Sequence, residues 1–215
     1  MNTPKSFLHA KALRICAAIM AFAITTGASA KADAAELGRQ FALTANPKAM
    51  TWVLEVPVVT SVGRRFALVG SDAKTNTYAG DTIDLTPLPV LCISDDGLSK
   101  PGFNLGTFTT PGGALRNSWS GGRLFFTTPT NAKLITSKTV GNQFCQTEAK
   151  AKKMLFPTKF RMAEFHDGDK KAGWTGWGFW GDVTEFLSKP GSKMPVATKD
   201  RFWVAIDGAP SNLWD

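Results

Sequence analysis

Histidine is nearly absent from this 215-residue chain, which contains only His9 and His166. His9 lies in an N-terminal segment that we expect to be removed, so His166 is the one histidine available to the mature protein. Catalytic triads use a histidine to activate serine or cysteine, and zinc sites use several histidine or cysteine ligands. The composition therefore disfavours both classes of site, and any imidazole base would have to be His166.

Long apolar runs are scarce as well. Residues 1–30 begin with a basic stretch, continue with the apolar run ICAAIMAFAI and end in the small residues GASA. This is the pattern of a signal peptide, and we place its cleavage after Ala30. The apolar run is shorter than the roughly 20 residues that span a bilayer, and no later stretch is more apolar. The sequence predicts a periplasmic or secreted protein with no transmembrane segment after signal removal.

Cysteine is limited to three residues, and Cys16 leaves with the signal peptide. Cys92 and Cys145 remain, and in an oxidising compartment two remaining cysteines most often form a disulfide. Two buried, unpaired thiols are the alternative.

A strong charge of either sign is also missing. The net charge of +8 falls to +5 without residues 1–30, because these hold three lysines or arginines and no acid. The basic residues are scattered and accompany no nucleic-acid-binding motif, so we predict no nucleic-acid partner. A mild positive charge favours anionic surfaces such as acidic polysaccharide or lipid headgroups.

The chain does contain a succession of short β-type segments around one helix. The stretches TWVLEVPVV and RRFALVG, with a glycine turn between them, predict a hairpin, and Pro57 favours an edge position for its first strand. VLCIS, RLFFTT, KFRMAEF and RFWV indicate further strands. We predict an α+β, β-rich fold with one main helix at about 137–155 and long Gly/Trp-rich loops. An N-terminal arm and hairpin would occupy 31–87 and the main domain 88–215, with one continuous domain 31–215 as the alternative.

The predicted helix has recognisable ends. Ser137 is a suitable N-cap, and Pro157 prevents extension at the other end. Its apolar residues fall near one face, which predicts the following buried set: Val140, Phe144, Ala151 and Leu155. Cys145 lies next to this face.

Aromatic residues are abundant, with seven tryptophans and fifteen phenylalanines against one tyrosine. Trp174, Trp177 and Trp180 lie among glycines, which would leave ring faces accessible for stacking on sugar rings. Trp119 is a further candidate on a loop. Polar residues that could hydrogen-bond sugar hydroxyls lie nearby: Asn117, Asp167 and Asp182. The alternative is that these rings pack in the core, as we expect for Trp203 and Trp214.

Acidic residues surround His166 in the stretch FRMAEFHDG and its continuation. Glu164, His166 and Asp167 would be the catalytic residues of a hydrolase, and Glu164, Asp167 and Asp169 the ligands of a metal site. The spacing is not that of a calcium loop, and nothing singles out a carboxylate pair. We therefore predict no cofactor, and we expect His166 to be structural, capping the end of its strand and anchoring the loop through Asp167 or Asp169.

Three stretches carry a resemblance to known proteins: FRMAEFHDG at 160–168, GWTGWGFWG at 173–181 and RFWVAIDGAPSNLW at 201–214. Together with a helix that carries a cysteine, they resemble the C-type-lectin-like fold, and within it a group of exported bacterial proteins. The resemblance covers about 88–215. The chain lacks the late cysteine typical of that fold and the Glu-Pro-Asn or Gln-Pro-Asp loop of its calcium-dependent sugar binders. The resemblance therefore does not imply calcium-dependent recognition.

Together these features predict an exported, non-catalytic binding protein that recognises carbohydrate or a glycan-bearing cell surface through exposed tryptophans. One alternative is a small exported hydrolase that uses Glu164 and His166. The other is a structural or assembly component of an envelope appendage, in which the aromatic residues would contact protein partners.

Overall fold

A seven-stranded mixed sheet forms the centre of the fold. The computed structural model describes residues 47–102, 119–167 and 178–206 except Thr198, all within the unit Asn46–Asp215. The predicted signal peptide lies outside these residues, as do Asn117, Asp169, Trp174, Trp177 and Trp214. The elements are β1 (Lys48–Ala49), β2 (Thr51–Ser61), β3 (Arg64–Gly70), β4 (Thr82–Ile83), β5 (Leu91–Ser94), β6 (Trp119–Phe126), α1 (Lys138–Ala151), β7 (Phe160–Met162), β8 (Gly178–Asp182), α2 (Thr184–Leu187) and β9 (Arg201–Trp203). The prediction of a β-rich α+β fold with one main helix is confirmed for the described residues.

The strand order in the large sheet is β7-β5-β6-β8-β3-β2-β9, and β1 and β4 form a separate pair. All neighbours run antiparallel except β6 and β8. Backbone hydrogen bonds continue beyond the two edge strands, from Phe165 N to Ala205 O (2.7 Å) and from Ala205 N to Ala163 O (3.0 Å). The chain segments that follow β7 and β9 therefore meet, and they satisfy backbone groups that an open sheet would leave to solvent.

The predicted hairpin is confirmed as β2 and β3, and it belongs to the same sheet as the later strands. Its turn residues Val62 and Gly63 both have positive φ, 51° and 75°, as a two-residue hairpin turn of type I′ requires. The prediction of an edge position for β2 was wrong, because β9 pairs with it at 51–53. Position 57 lies past this pairing, where the register with β3 is also irregular, so the backbone tolerates a proline there.

Most of the aromatic residues that the structure describes pack into one principal core. The principal core includes Trp52, Phe125, Phe202 and Trp203, all fully buried. A smaller cluster on the opposite face of the sheet is built from Phe66, Leu68 and Trp180. The alternation in β3, where Ala67 and Val69 face the principal core, follows the two-residue period of a strand. Trp203 is a core residue, as the sequence predicted.

Helix α1 begins as predicted, with Ser137 Oγ accepting a hydrogen bond from Val140 N at 3.2 Å. The predicted apolar face is confirmed only in part, because Phe144 packs against the core and Val140 is half-buried, whereas Ala151 is exposed. The fully buried residues of the helix are Gly141, Cys145 and Ala149. Leu155 follows the helix and is 61% exposed. The helix is rotated relative to the prediction because Cys145 faces the sheet.

The Cys92–Cys145 disulfide is present and joins β5 to α1 with a Cα–Cα distance of 5.7 Å. One turn before Cys145, a Cβ on Gly141 would come within 3.0 Å of Met162 Sδ. A larger residue at this position would make Met162 and Ile135 shift by a few tenths of an ångström, because the helix lies close to β7. In the described ranges, no helix is long and apolar enough to cross a bilayer.

Reduction of the disulfide, or the double substitution Cys92→Ala and Cys145→Ala, should lower the free energy of unfolding. The two cysteines are 53 residues apart. A crosslink over this distance restricts the unfolded chain, and its loss should lower the free energy of unfolding by about 4 kcal/mol. Urea denaturation with and without reductant measures the difference, and the double variant serves as the control that reductant should not affect. Equal stability of the oxidised and reduced protein would contradict the prediction.

Candidate binding cleft

Trp180 does not provide a stacking surface, which corrects the prediction made for it. It lies on β8 between β3 and β6, has 0% exposure and packs with Phe66 and Leu68. A ring with no accessible surface cannot stack on a sugar. The glycines beside it, Gly178 and Gly181, are themselves buried strand residues and leave no ring face open.

Trp119 lies opposite Trp180 across the β6–β8 pair, so the structure brings these two predicted residues together. Trp119 is half-buried, and its Nε1 donates to Leu98 O at 2.8 Å. Its ring meets Phe66 edge-on at a centroid distance of 5.8 Å, and the Arg64 guanidinium lies 5.9 Å from its centroid. Trp119 therefore takes part in packing and keeps only part of its surface for a ligand.

Asp182, the third predicted residue in this area, is buried and bound to the protein. Its Oδ2 accepts from Arg64 Nε at 2.7 Å, and its Oδ1 accepts from Thr184 N at 2.8 Å. This carboxylate neutralises Arg64 and fixes the start of α2. We predicted that Asp182 would hydrogen-bond a ligand, but the hydrogen bonds it makes in the structure are to Arg64 and Thr184.

The acidic residues around His166 are also occupied. Asp167 accepts from Arg161 Nη2 at 2.7 Å and from Glu164 N at 2.7 Å, and Glu164 pairs with Lys138 Nζ at 2.5 Å. The hydrogen bonds that Arg161 donates to Asp167, only partly opposed by burial, raise the pKa of the Arg161 guanidinium. Asp167 therefore makes the cap at the strand end that the sequence analysis assigned to His166.

His166 is exposed in a short 3-10 helix, Phe165–Asp167, with its ring edge-on to Phe165 at 5.7 Å. No group of three or more histidine, cysteine, aspartate or glutamate side chains is arranged to hold a metal within the part of the chain that the structure describes. Asp169 lies outside the described residues. The described residues of the predicted hydrolase and metal sites are thus held mainly by ion pairs.

A cleft that the sequence analysis missed lies elsewhere on the molecule and has a volume of about 650 Å³. Three segments line it, within 82–89, 126–129 and 186–201, together with Lys152. Among its apolar side chains, Leu88 and Met194 are half-buried, while Phe126 and Phe186 are 3% and 2% exposed and contribute little open surface. Prolines from all three segments add rigid apolar walls: Pro87, Pro89, Pro129 and Pro195.

The lining of this cleft includes a buried hydroxyl that no described residue hydrogen-bonds. Ser192 lines the cleft, and among the described residues nothing hydrogen-bonds its buried Oγ. Other hydroxyls of the lining are used within the protein, since Thr127 Oγ1 accepts from Val90 N at 2.9 Å and Thr128 Oγ1 bonds to Glu148. Buried polar groups are nearly always hydrogen-bonded, so a rotation about χ1 that turns this Oγ into the cleft would let a polar ligand supply the missing partner.

The wall formed by α2 is held by a buried ion-pair network. Arg123, 8% exposed, donates to Asp96 Oδ2 at 2.6 Å and to Glu185 Oε2 at 2.5 Å. Glu185 also accepts from Leu155 N at 2.6 Å. This network fixes α2 against the sheet and places Phe186 in the cleft.

The same network lowers the pKa of Asp96. Burial by itself would raise the pKa of Asp96, but hydrogen bonds from Arg123 and Ser94, with the charges of Arg123 and Lys159, outweigh it. The pKa of Asp96 therefore lies below its ordinary value of 3.8.

The chain matches no family model, and no curated protein or solved structure is significantly similar to it. The candidate site therefore has to be judged by its own geometry. Sequence reasoning had only a weak signal for it, a set of prolines and lysines distributed over three distant segments.

Asp96→Asn should lower the free energy of unfolding by about 3 kcal/mol at neutral pH, because it removes one partner of a buried pair. A carboxylate whose folded pKa is depressed stabilises the fold above its unfolded pKa, and that contribution is lost as the pH falls through the folded pKa. The difference between the two proteins should therefore shrink below pH 3.8, by up to about 1.4 kcal/mol per pH unit.

Urea denaturation between pH 2.5 and pH 7 measures this difference. Asp95→Asn is the matched control, because Asp95 is 65% exposed in its pair with Arg161, and it should cost less than about 1 kcal/mol. A constant difference between the Asp96 variant and the unsubstituted protein at all pH values would argue against the network.

Proposed function

We propose that this protein is an exported, non-catalytic binding protein and that its ligand is a carbohydrate held in the cleft. The observation that carries the proposal is the buried, unpartnered hydroxyl of Ser192 in a cleft with largely apolar walls. The volume of about 650 Å³ falls within the range of about 300–1,000 Å³ that small-molecule sites occupy. Export rests on the predicted signal peptide at 1–30.

Sugars present an apolar face of C–H groups and a rim of hydroxyls, and the cleft offers a counterpart to each. Leu88 and Met194 supply apolar contact, and the neighbouring prolines lose no side-chain entropy when a ligand binds. With its side chain rotated so that the Oγ points into the cleft, Ser192 can donate to, or accept from, a sugar hydroxyl. A site of this kind selects a ligand that is apolar on one side and polar on the other.

Tryptophan stacking remains part of the proposal outside the cleft. Trp119 keeps partial exposure, and Trp174, Trp177 and Asn117 belong to segments that neighbour β6 and β8 in the sequence. These residues would contact a longer glycan or a glycan-bearing surface. Tryptophan fluorescence, with Trp177→Ala as the comparison, reports on that contact separately from the cleft.

A C-type-lectin-like relationship is the finer fold proposal. It is supported by a cysteine-bearing helix that a disulfide holds against the sheet and by the Gly-Trp segment that leads into the central strand β8. The hydrolase alternative has less support, because Glu164 is paired with Lys138. The assembly alternative predicts a stable protein partner and no response to glycans.

The test is a glycan array probed with the purified protein in calcium and in EDTA. We expect saturable binding that EDTA does not remove. For the best ligand, Ser192→Ala should weaken the affinity about fivefold, because the loss of one neutral hydrogen bond costs about 1 kcal/mol. Isothermal titration calorimetry measures this change.

Ser99→Ala is the matched control, since Ser99 is exposed and does not line the cleft. Its affinity should equal that of the unsubstituted protein, and thermal unfolding should show both variants folded. No binding across a broad array would overturn the carbohydrate proposal. Binding that EDTA abolishes would place recognition at a metal site instead of this cleft.

A further inference from the structure

The charges that line the cleft are unequal. Four cationic side chains belong to its lining, Lys152, Lys193, Lys199 and Arg201, against the single carboxylate of Asp200. A concave surface with an excess of one sign concentrates ligands of the opposite sign. Which of these charges a ligand can use depends on the partners that each already has.

Arg201 is fully engaged within the protein. It donates to both oxygens of Asp72, at 2.9 and 3.0 Å, and its Nε lies 3.5 Å from Asp81 Oδ1. Burial tends to raise the pKa of Asp72, but its hydrogen bonds and charge interaction with Arg201 outweigh burial and lower that pKa. Arg201 therefore holds the wall of the cleft. Its charge is compensated by Asp72 and Asp81, so it attracts an anionic ligand only weakly.

Lys152 and Asp200 are partly engaged. Lys152 Nζ lies 4.0 Å from Glu148 Oε2, and the two oxygens of Glu148 also accept from Thr128. Asp200 Oδ2 accepts from Val196 N at 2.9 Å, so this carboxylate holds its own segment.

Lys193 and Lys199 are the cations that remain. Both are exposed, and neither makes an ion pair within the described ranges. They flank Met194 and Pro195 in the lining of the cleft. A ligand seated on the apolar surface would thus lie beside two ammonium groups that have no competing partner there.

From these contacts we infer that the ligand of the cleft is an acidic sugar, a uronate unit of an acidic polysaccharide, whose carboxylate is bound by Lys193 and Lys199. The inference rests on the proposed carbohydrate function and specifies its substrate class. A concave site receives a chain that enters it, which a flat lipid surface cannot do. Lysine suits this task because its ammonium is a compact charge on a flexible stem and can follow successive carboxylates along a polymer.

The test compares polygalacturonate with its fully methyl-esterified form, which keeps the backbone and removes the charge. The acidic polymer should bind at least about tenfold more tightly at low salt, and its affinity should fall as NaCl screens the charges. The double variant Lys193→Glu and Lys199→Glu should lose about tenfold in affinity for the acidic form and change little with the ester.

Arg65→Glu with Lys100→Glu is the matched control. It makes the same change in net charge at two exposed residues that do not line the cleft, and it should alter the affinity less than about twofold. An equal loss of affinity in this control would mean that net charge alone explains the effect of the lysine variant, and it would overturn the inference.

The other outcomes separate the two proposals. Equal affinity for both polymers, with Ser192→Ala still weakening each, would overturn the acidic specificity and leave the carbohydrate proposal intact. Equal binding of poly-glutamate would keep the role of the lysines and overturn recognition of a sugar. If neither polymer binds while other glycans on the array do, the acidic class is wrong.

Discussion

The buried guanidinium of Arg123 is the constraint on which much of this structure depends. Arginine stays protonated in proteins, so a side chain that is 8% exposed must find carboxylates inside the fold. It finds Asp96, just after β5, and Glu185 on α2. Removal of either carboxylate would leave the buried guanidinium with one partner instead of two, which destabilises the fold. One cation on β6 thereby determines where two other segments lie.

The position of the cleft follows from this pairing. Glu185 precedes Phe186, so the ion pair that holds α2 also sets the aromatic ring that lines the cleft. The same carboxylate accepts from Leu155 N, which fixes the chain just after α1 and near Lys152. On the far wall, Arg201 fastens β9 to Asp72. The cleft is thus bordered by ion pairs formed entirely within the protein.

The features that could be predicted from the sequence are those that depend on neighbouring residues. The hairpin, the Ser137 cap and the α+β class follow from neighbouring residues, and the disulfide follows from having two cysteines left after export. The sequence could not predict contacts between distant positions, such as Arg123 with Glu185, 62 residues apart, or Arg201 with Asp72, 129 apart. Trp180 was misassigned for the same reason: glycines next to a tryptophan indicate an open loop only if no other strand covers them, and here β3 and β6 do.

Arginine and lysine are used differently in this protein. Four arginines pair with carboxylates of the protein itself: Arg64, Arg123, Arg161 and Arg201. The planar guanidinium suits this role because it matches a carboxylate in a fixed geometry. Once these pairs have neutralised each other, the modest positive charge of the chain resides mainly on lysines. Three of these lysines line the cleft, and two of them, Lys193 and Lys199, are exposed.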